Sequence, residues 1–260
     1  MKNILSRTAL AATLPLTMLL PTGANADLLT HNPAHKLSPG KLEGGIIYRA
    51  SDTKSSIKIT QGEGFYRETI TDDLEIGRVA LVISGAYGWN DMFDLYGGIA
   101  LNTTSQVNDT YGTTGSGSEF GAGVRGVVLG SPQFTVYGYG QMSYIDDDYG
   151  TVSFFVEDED GYEYPVEGKP ASSGFEITAG AVASTRLNET MSVYAGLEIT
   201  PFSSLDFKLH SDLPAGDLER DGILTIRLGG EYQVNETLFA YGGFSIMNSK
   251  SLSIGVGSYF

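Results

Sequence analysis

The sequence predicts an all-β chain, a transmembrane antiparallel up-and-down β-barrel of about ten strands, within about 8–12. Three observations lead there. The last eleven residues, Lys250 to Phe260, alternate in character. Leu252, Ile254, Val256 and Phe260 fall on one side of an extended strand; Ser251, Ser253, Gly255, Gly257 and Tyr259 fall on the other. That is the strand period of two. Next comes a repeated turn-and-strand unit. Asn90–Gly97, Ser131–Gly138, Asn188–Ala195 and Asn235–Gly242 each open with turn residues and carry a Tyr six positions after the first. The physical reading is one β-hairpin used four times. Finally, the repeat turns are short, whereas the connections near 51–73, 104–116, 146–173 and 203–221 are long and polar. Short turns at one end and long loops at the other are characteristic of membrane barrels.

From the start of the chain, Met1 to Ala26 reads as a signal peptide. Lys2 and Arg7 make a positive start, Ala9 to Leu20 is mostly apolar, and Ala24-Asn25-Ala26 fits the small-residue cleavage rule. The apolar stretch is short for a membrane helix, and no later run reaches helical-span length, so any crossing is made by strands. Cleavage before Asp27 takes the formal charge from −15 to −17. Residues 27–40 are expected to form a periplasmic lead-in or partial plug, and residues 41–260 the barrel.

With no Cys, the fold rests on backbone pairing and packing rather than disulfides. Thirty-one acids against 16 Lys and Arg argue against nucleic acid as a partner.

Strands are expected near 41–50, 74–89, 92–103, 117–129, 133–145, 174–187, 190–202, 222–234, 237–248 and 250–260. An even count puts both chain ends on the short-turn side. Rows such as Leu95, Ile99 and Leu101, or Val193, Leu197 and Ile199, define the lipid face. Tyr87, Trp89, Phe93, Phe134 and Tyr232 gather near the short turns, where an interfacial aromatic girdle is expected. The opposite, lumenal face carries Tyr96, Tyr137, Tyr194 and Tyr241. It also receives Lys41, Arg49, Arg78, Arg125, Arg186 and Arg227 with Glu43, Asp94, Glu119, Glu176, Glu198 and Glu231. A barrel of this size has a narrow lumen, and buried charges are costly unless paired. The balance predicts an internal network of ion pairs and Tyr hydroxyls that fills the barrel.

The loops carry the remaining candidates. Asp146 to Glu167 holds nine acids and no Lys or Arg. Asp158, Asp160 and Glu167 are weak metal candidates: they match places of a calcium loop, but Val156 occupies its first ligand position. Thr151 to Val156 alternates as a projecting hairpin would. Ser204 to His210 also alternates, extending the seventh strand. His210-Ser211-Asp212 invites an enzyme reading, yet adjacent residues rarely reach the geometry of a nucleophile, base and orienting group. His31 and His35 give only two ligands, a weak metal site. No cofactor and no catalytic residue is assigned.

The terminal strand ending in Phe260 resembles the closing strand of Gram-negative outer-membrane barrels, as does the pattern of the whole mature chain. Tyr259 departs from it, since the signature often has its aromatic at the position of Ser258. The chain is similar to small barrels of the opacity and OmpX-like group. That resemblance implies outer-membrane lipid and lipopolysaccharide as surroundings and recognition of Phe260 by the barrel-assembly machinery. It also implies a surface role, with host, phage or neighbouring-cell ligands met through acidic loops. The leading expectation is a structural or surface-binding barrel rather than an enzyme. The alternatives are a narrow porin-like channel and an omptin-like or lipid-modifying enzyme.

Overall fold

The computed structural model describes residues 32–61, 68–107, 115–157, 163–208, 216–220, 222–247 and 249–260. The strands are β1 (Leu42–Gln61), β2 (Glu68–Gly88), β3 (Phe93–Val107), β4 (Gly115–Gly130), β5 (Thr135–Asp148), β6 (Val152–Glu157), β7 (Glu163–Gly168), β8 (Ala171–Arg186), β9 (Met191–Lys208), β10 (Gly216–Arg220), β11 (Leu224–Gln233), β12 (Leu238–Met247) and β13 (Ser249–Tyr259). Ten of them, β1 to β5, β8, β9 and β11 to β13, pair antiparallel in that order, and β13 returns to β1. The result is a closed ten-stranded antiparallel barrel. Its seam runs from Glu43 opposite Tyr259 to Thr53 opposite Ser249, and Leu42 exchanges backbone bonds of 3.1 and 2.9 Å with Phe260. Closure leaves no barrel edge with unpaired backbone, the condition for crossing lipid with strands.

The four repeats open on a side-chain cap. The Asn90 side-chain oxygen accepts the backbone N–H groups of Met92 and Phe93, and Asn235 does the same for Thr237 and Leu238. Asn188 accepts from Thr190, and the Ser131 hydroxyl accepts from Gln133 and Phe134. The first residue of each repeat is therefore an Asn or Ser because a short polar side chain must satisfy the turn's own donors.

All ten expected barrel strands are present, but four of the expected loops are shorter than the sequence suggested. Residues 51–73 are mostly strand: β1 and β2 pair out to Gln61 opposite Glu68. β3 runs on to Val107 and β4 begins at Gly115, so both ends of 104–116 are strand. Within 146–173, β6 and β7 form a separate two-stranded hairpin. Within 203–221, β9 continues to Lys208, and β10 adds a strand between β9 and β1. β10 stands above the shorter β11, β12 and β13, completing the wall where those strands stop. The reason in each case is that backbone beyond the apolar band still needs hydrogen-bond partners, and continuing the ladder supplies them.

Outside, the wall is apolar in alternation. Leu95, Ile99 and Leu101, Phe120 and Val124, Leu197 and Ile199, and Leu252, Ile254 and Val256 are all exposed. Tyr87 and Trp89 meet edge to face near the short turns, and Phe120, Tyr144 and Phe175 form a second aromatic group further along the wall. On β9 the alternation changes phase. One residue of β8, between Ile177 and Ala179, faces two of β9, Thr200 and Pro201. This β-bulge turns Leu205 and Phe207 inward, where they are buried.

Replacing Asn235 with Ala removes a cap that accepts two backbone donors. The expected loss is about 1 kcal/mol, read as a lower urea midpoint for unfolding from lipid vesicles.

Candidate functional site in the barrel lumen

At the short-turn end the lumen is organised by Arg125 of β4. Its Nη2 donates to both carboxylate oxygens of Glu43 at 3.0 and 3.1 Å, and its Nε donates to Asp94 at 3.2 Å. The third edge, Nη1, donates to the backbone carbonyl of Asn32 at 2.6 Å. Asp94 also accepts the backbone N–H of Leu37 at 2.7 Å and lies 3.9 Å from the Lys36 ammonium. The Asn32 side chain donates to Glu231 at 2.7 Å, and Glu231 also accepts the Tyr259 hydroxyl at 3.0 Å. The residues just before β1 thus lie inside the barrel as a plug. Its apolar side chains are buried: Leu37 against Ala86 and Tyr96, and Ala34 against Tyr139, Val182 and Tyr194. His35 stacks on Tyr259, with ring centres 5.1 Å apart.

Beside the plug a polar vestibule of about 530 Å³ remains, lined by Ala34, His35, Tyr137, Arg186 and Glu231 among others. Burial and then the Arg125 charge hold the His35 imidazole below its ordinary pKa, against the opposing pull of Glu43, Glu231 and Asp94.

The middle of the lumen is a ring of aromatic side chains lying over glycines. Tyr96 covers Gly123, Tyr139 covers Gly180, Tyr194 covers Gly229 and Tyr241 covers Gly255. Each Tyr stands directly opposite its glycine on the next strand. A Cβ on Gly123 would meet Tyr96 Cζ at 2.5 Å, so only glycine leaves room for the ring. In the second repeat β8 presents Val182 opposite Tyr137 and its glycine opposite Tyr139, so Tyr139 takes the covering role and Tyr137 stays half-buried. Tyr139 donates to Glu198 at 3.1 Å, and Arg227 grips the same carboxylate with two bonds of 2.5 and 2.9 Å.

Towards the long-loop end a second charged layer follows. Arg49 donates to Glu119 at 2.8 Å. Arg78 pairs with Asp147, which also accepts from Asn102 at 2.6 Å. Glu176 accepts the Ser203 hydroxyl at 2.9 Å. Tyr149 shares a 2.5 Å bond with Ser172 and lies near Phe207, with ring centres 6.1 Å apart. Phe207, Leu205, Leu218, Ile145 and Ile76 are buried at this level, an apolar cap over the charged layer.

Ten of the twelve charged residues that alternation assigned to the lumen lie in these layers. Lys41 and Arg186 do not: both are exposed at the short-turn rim, because they stand at the ends of their strands, where the wall no longer encloses them. Arg186 lines the open vestibule instead. Sequence reasoning missed Asn32, Lys36, Tyr139, Asp147 and Tyr149. Asp147 was readable by parity, since it falls in phase with Tyr139 and Gln141 on β5. Glu167 is exposed on β7, and Asp158, Asp160, His31 and His210 lie outside the described residues.

No family model matches the chain, and no curated relative matches it. Among solved structures, the outer membrane protease OmpT from Escherichia coli is 12% identical, with TM-score 0.53 over 87% of this chain and 100% of its own. The translocator domain of autotransporter NalP from Neisseria meningitidis is 10% identical, with TM-score 0.45 over 89% and 90%. An outer membrane channel from Pseudomonas putida F1 is 11% identical, with TM-score 0.42 over 87% and 98%. At such identities the likeness is one of fold.

Two outcomes follow from the inner layer. Arg125→Leu takes the guanidinium from two buried carboxylates and is expected to destabilise the barrel by about 3–5 kcal/mol, read by heat unfolding in detergent. His35 takes up its proton more readily once released from the fold. Its contribution is therefore full above its ordinary value of 6.5 and is lost as pH falls below that value. The melting temperature should drop more between pH 7.5 and pH 5 in the parent than in His35→Phe. The closed barrel of ten paired strands gives the chain the fold of the outer-membrane β-barrels.

Proposed function

We propose that this protein is an outer-membrane β-barrel of structural or surface-binding type, secreted through its signal peptide and set with its short turns in the periplasm. The observation that carries this reading is the filled lumen. Asp94 and Arg125 in one layer, and Glu119 and Tyr149 in another, are each 0–1% exposed, which supports a lumen packed at two separate levels. A solute path would have to wet at least one side chain at every level.

The chemistry of the charged layers fits a structural role as well. The carboxylates of Glu43, Asp94, Glu119, Asp147 and Glu198 are each held by an arginine. A carboxylate held by a guanidinium is a poor general base, which favours a structural role for these five. What remains for contact is the wall beyond the membrane, where β1, β2, β8 and β9 continue past the aromatic groups, and the acidic hairpin β6–β7. Outer-membrane lipid and lipopolysaccharide surround the barrel in this reading. The assembly machinery meets its closing strand, and a ligand of another cell, host or phage meets its loops.

The intact protein in planar lipid bilayers should show no steady single-channel steps. Reproducible steps from the parent chain would replace this reading with that of a narrow channel.

A further inference from the structure

We propose that the short-turn half of the lumen is a binding site for a short peptide with a turn at its start, occupied in cis by residues 32–37, where Pro33 and Ala34 turn and the Ala34 N–H donates to the Asn32 side chain at 2.8 Å. The barrel grips this segment as one would grip a ligand. Arg125 of β4 binds a backbone carbonyl, that of Asn32, and Asp94 of β3 binds a backbone N–H, that of Leu37. Asp94 also faces the Lys36 ammonium, and Glu231 of β11 takes the Asn32 side-chain amide. Backbone carbonyls and N–H groups belong to any peptide, so these contacts recognise chain direction rather than one sequence.

Side-chain selectivity comes from four places. A small residue fits among Tyr139, Val182 and Tyr194, where Ala34 sits. A flat ring fits against Tyr259, where His35 sits. A cation fits beside Asp94, and an aliphatic residue fits beside Ala86 and Tyr96, as Lys36 and Leu37 do. The ligand class is therefore a short peptide that follows its opening turn with the order small, aromatic or imidazole, basic, aliphatic. The vestibule of about 530 Å³ opens beside the first two of these positions, so a competing peptide can reach them from the short-turn side without crossing the charged layers above. This site does not depend on which ligand the outer loops meet.

The test cuts the chain only after it has folded. A protease site is inserted between Ser38 and Pro39, both exposed, and the purified barrel is cleaved in detergent. A fluorescent peptide with the sequence Asn32-Pro33-Ala34-His35-Lys36-Leu37-Ser38 is then added, together with a scrambled control. The expected result is saturable binding that displaces the cut segment. Peptides carrying Leu37→Ser or Ala34→Trp should bind at least tenfold more weakly. Those variants alter only the peptide, so the folding of the barrel is not at stake. Equal binding of the scrambled peptide overturns the proposal. So does a cut segment that leaves without the labelled peptide taking its place, or one that cannot be exchanged even at the melting midpoint. Conductance of the cleaved barrel reports separately on the closed lumen.

Discussion

A guanidinium cannot shed its charge, so burying it is costly unless fixed oxygens meet it, and Arg125 is met on all three edges. Arg125 imposes that requirement on the whole short-turn half of this barrel. Its partners come from β1, from β3 and from the segment that precedes the barrel. These parts are far apart along the chain and meet only when the wall has the right circumference and register. The same constraint links the buried arginines to the strands around them. Each buried arginine is bound to carboxylates from other strands, and a slip of one residue would turn the strand's partner outward.

The wall lives in two solvents, and β9 shows how one strand serves both. Along the apolar band its greasy residues, Leu197 and Ile199, face out, the side that the proposed reading gives to lipid. Beyond the membrane the outside is water, so greasy residues belong inside. The extra residue at Thr200–Pro201 shifts the phase by one, and Leu205 and Phe207 point to the axis while Asp206 and Lys208 face out. The apolar cap of the lumen is a product of that shift.

The strands and turns were legible because each rests on a local rule. Period two marks a pleated strand, and an Asn or Ser at the head of each repeat satisfies a turn within three residues. Alternation also identified most of the buried charges. It did not say which charge meets which: Arg125 and Glu43 sit on strands that are not neighbours in the wall, and no local pattern joins them. Tyr137 was read as equivalent to Tyr96 by its spacing from the turn, but the glycine that decides the matter belongs to the next strand. Asp147 was hidden by composition, since an acidic stretch reads as a solvated loop even when one member is in phase with the lumen. Lys41 and Arg186 erred the other way, because parity says which side a residue takes but not whether the wall still surrounds it. β10, at five residues, is too short to establish a period of its own.

β10 also has a bearing on the order of events in assembly. It hydrogen-bonds to β1 on one side and to β9 on the other, and those two strands are brought within reach only when β11, β12 and β13 have bridged them. A ladder between such distant parts of a chain forms late, since the loop entropy must be overcome first. The five-residue strand therefore behaves as a latch: it can snap shut only on a cylinder that is already complete.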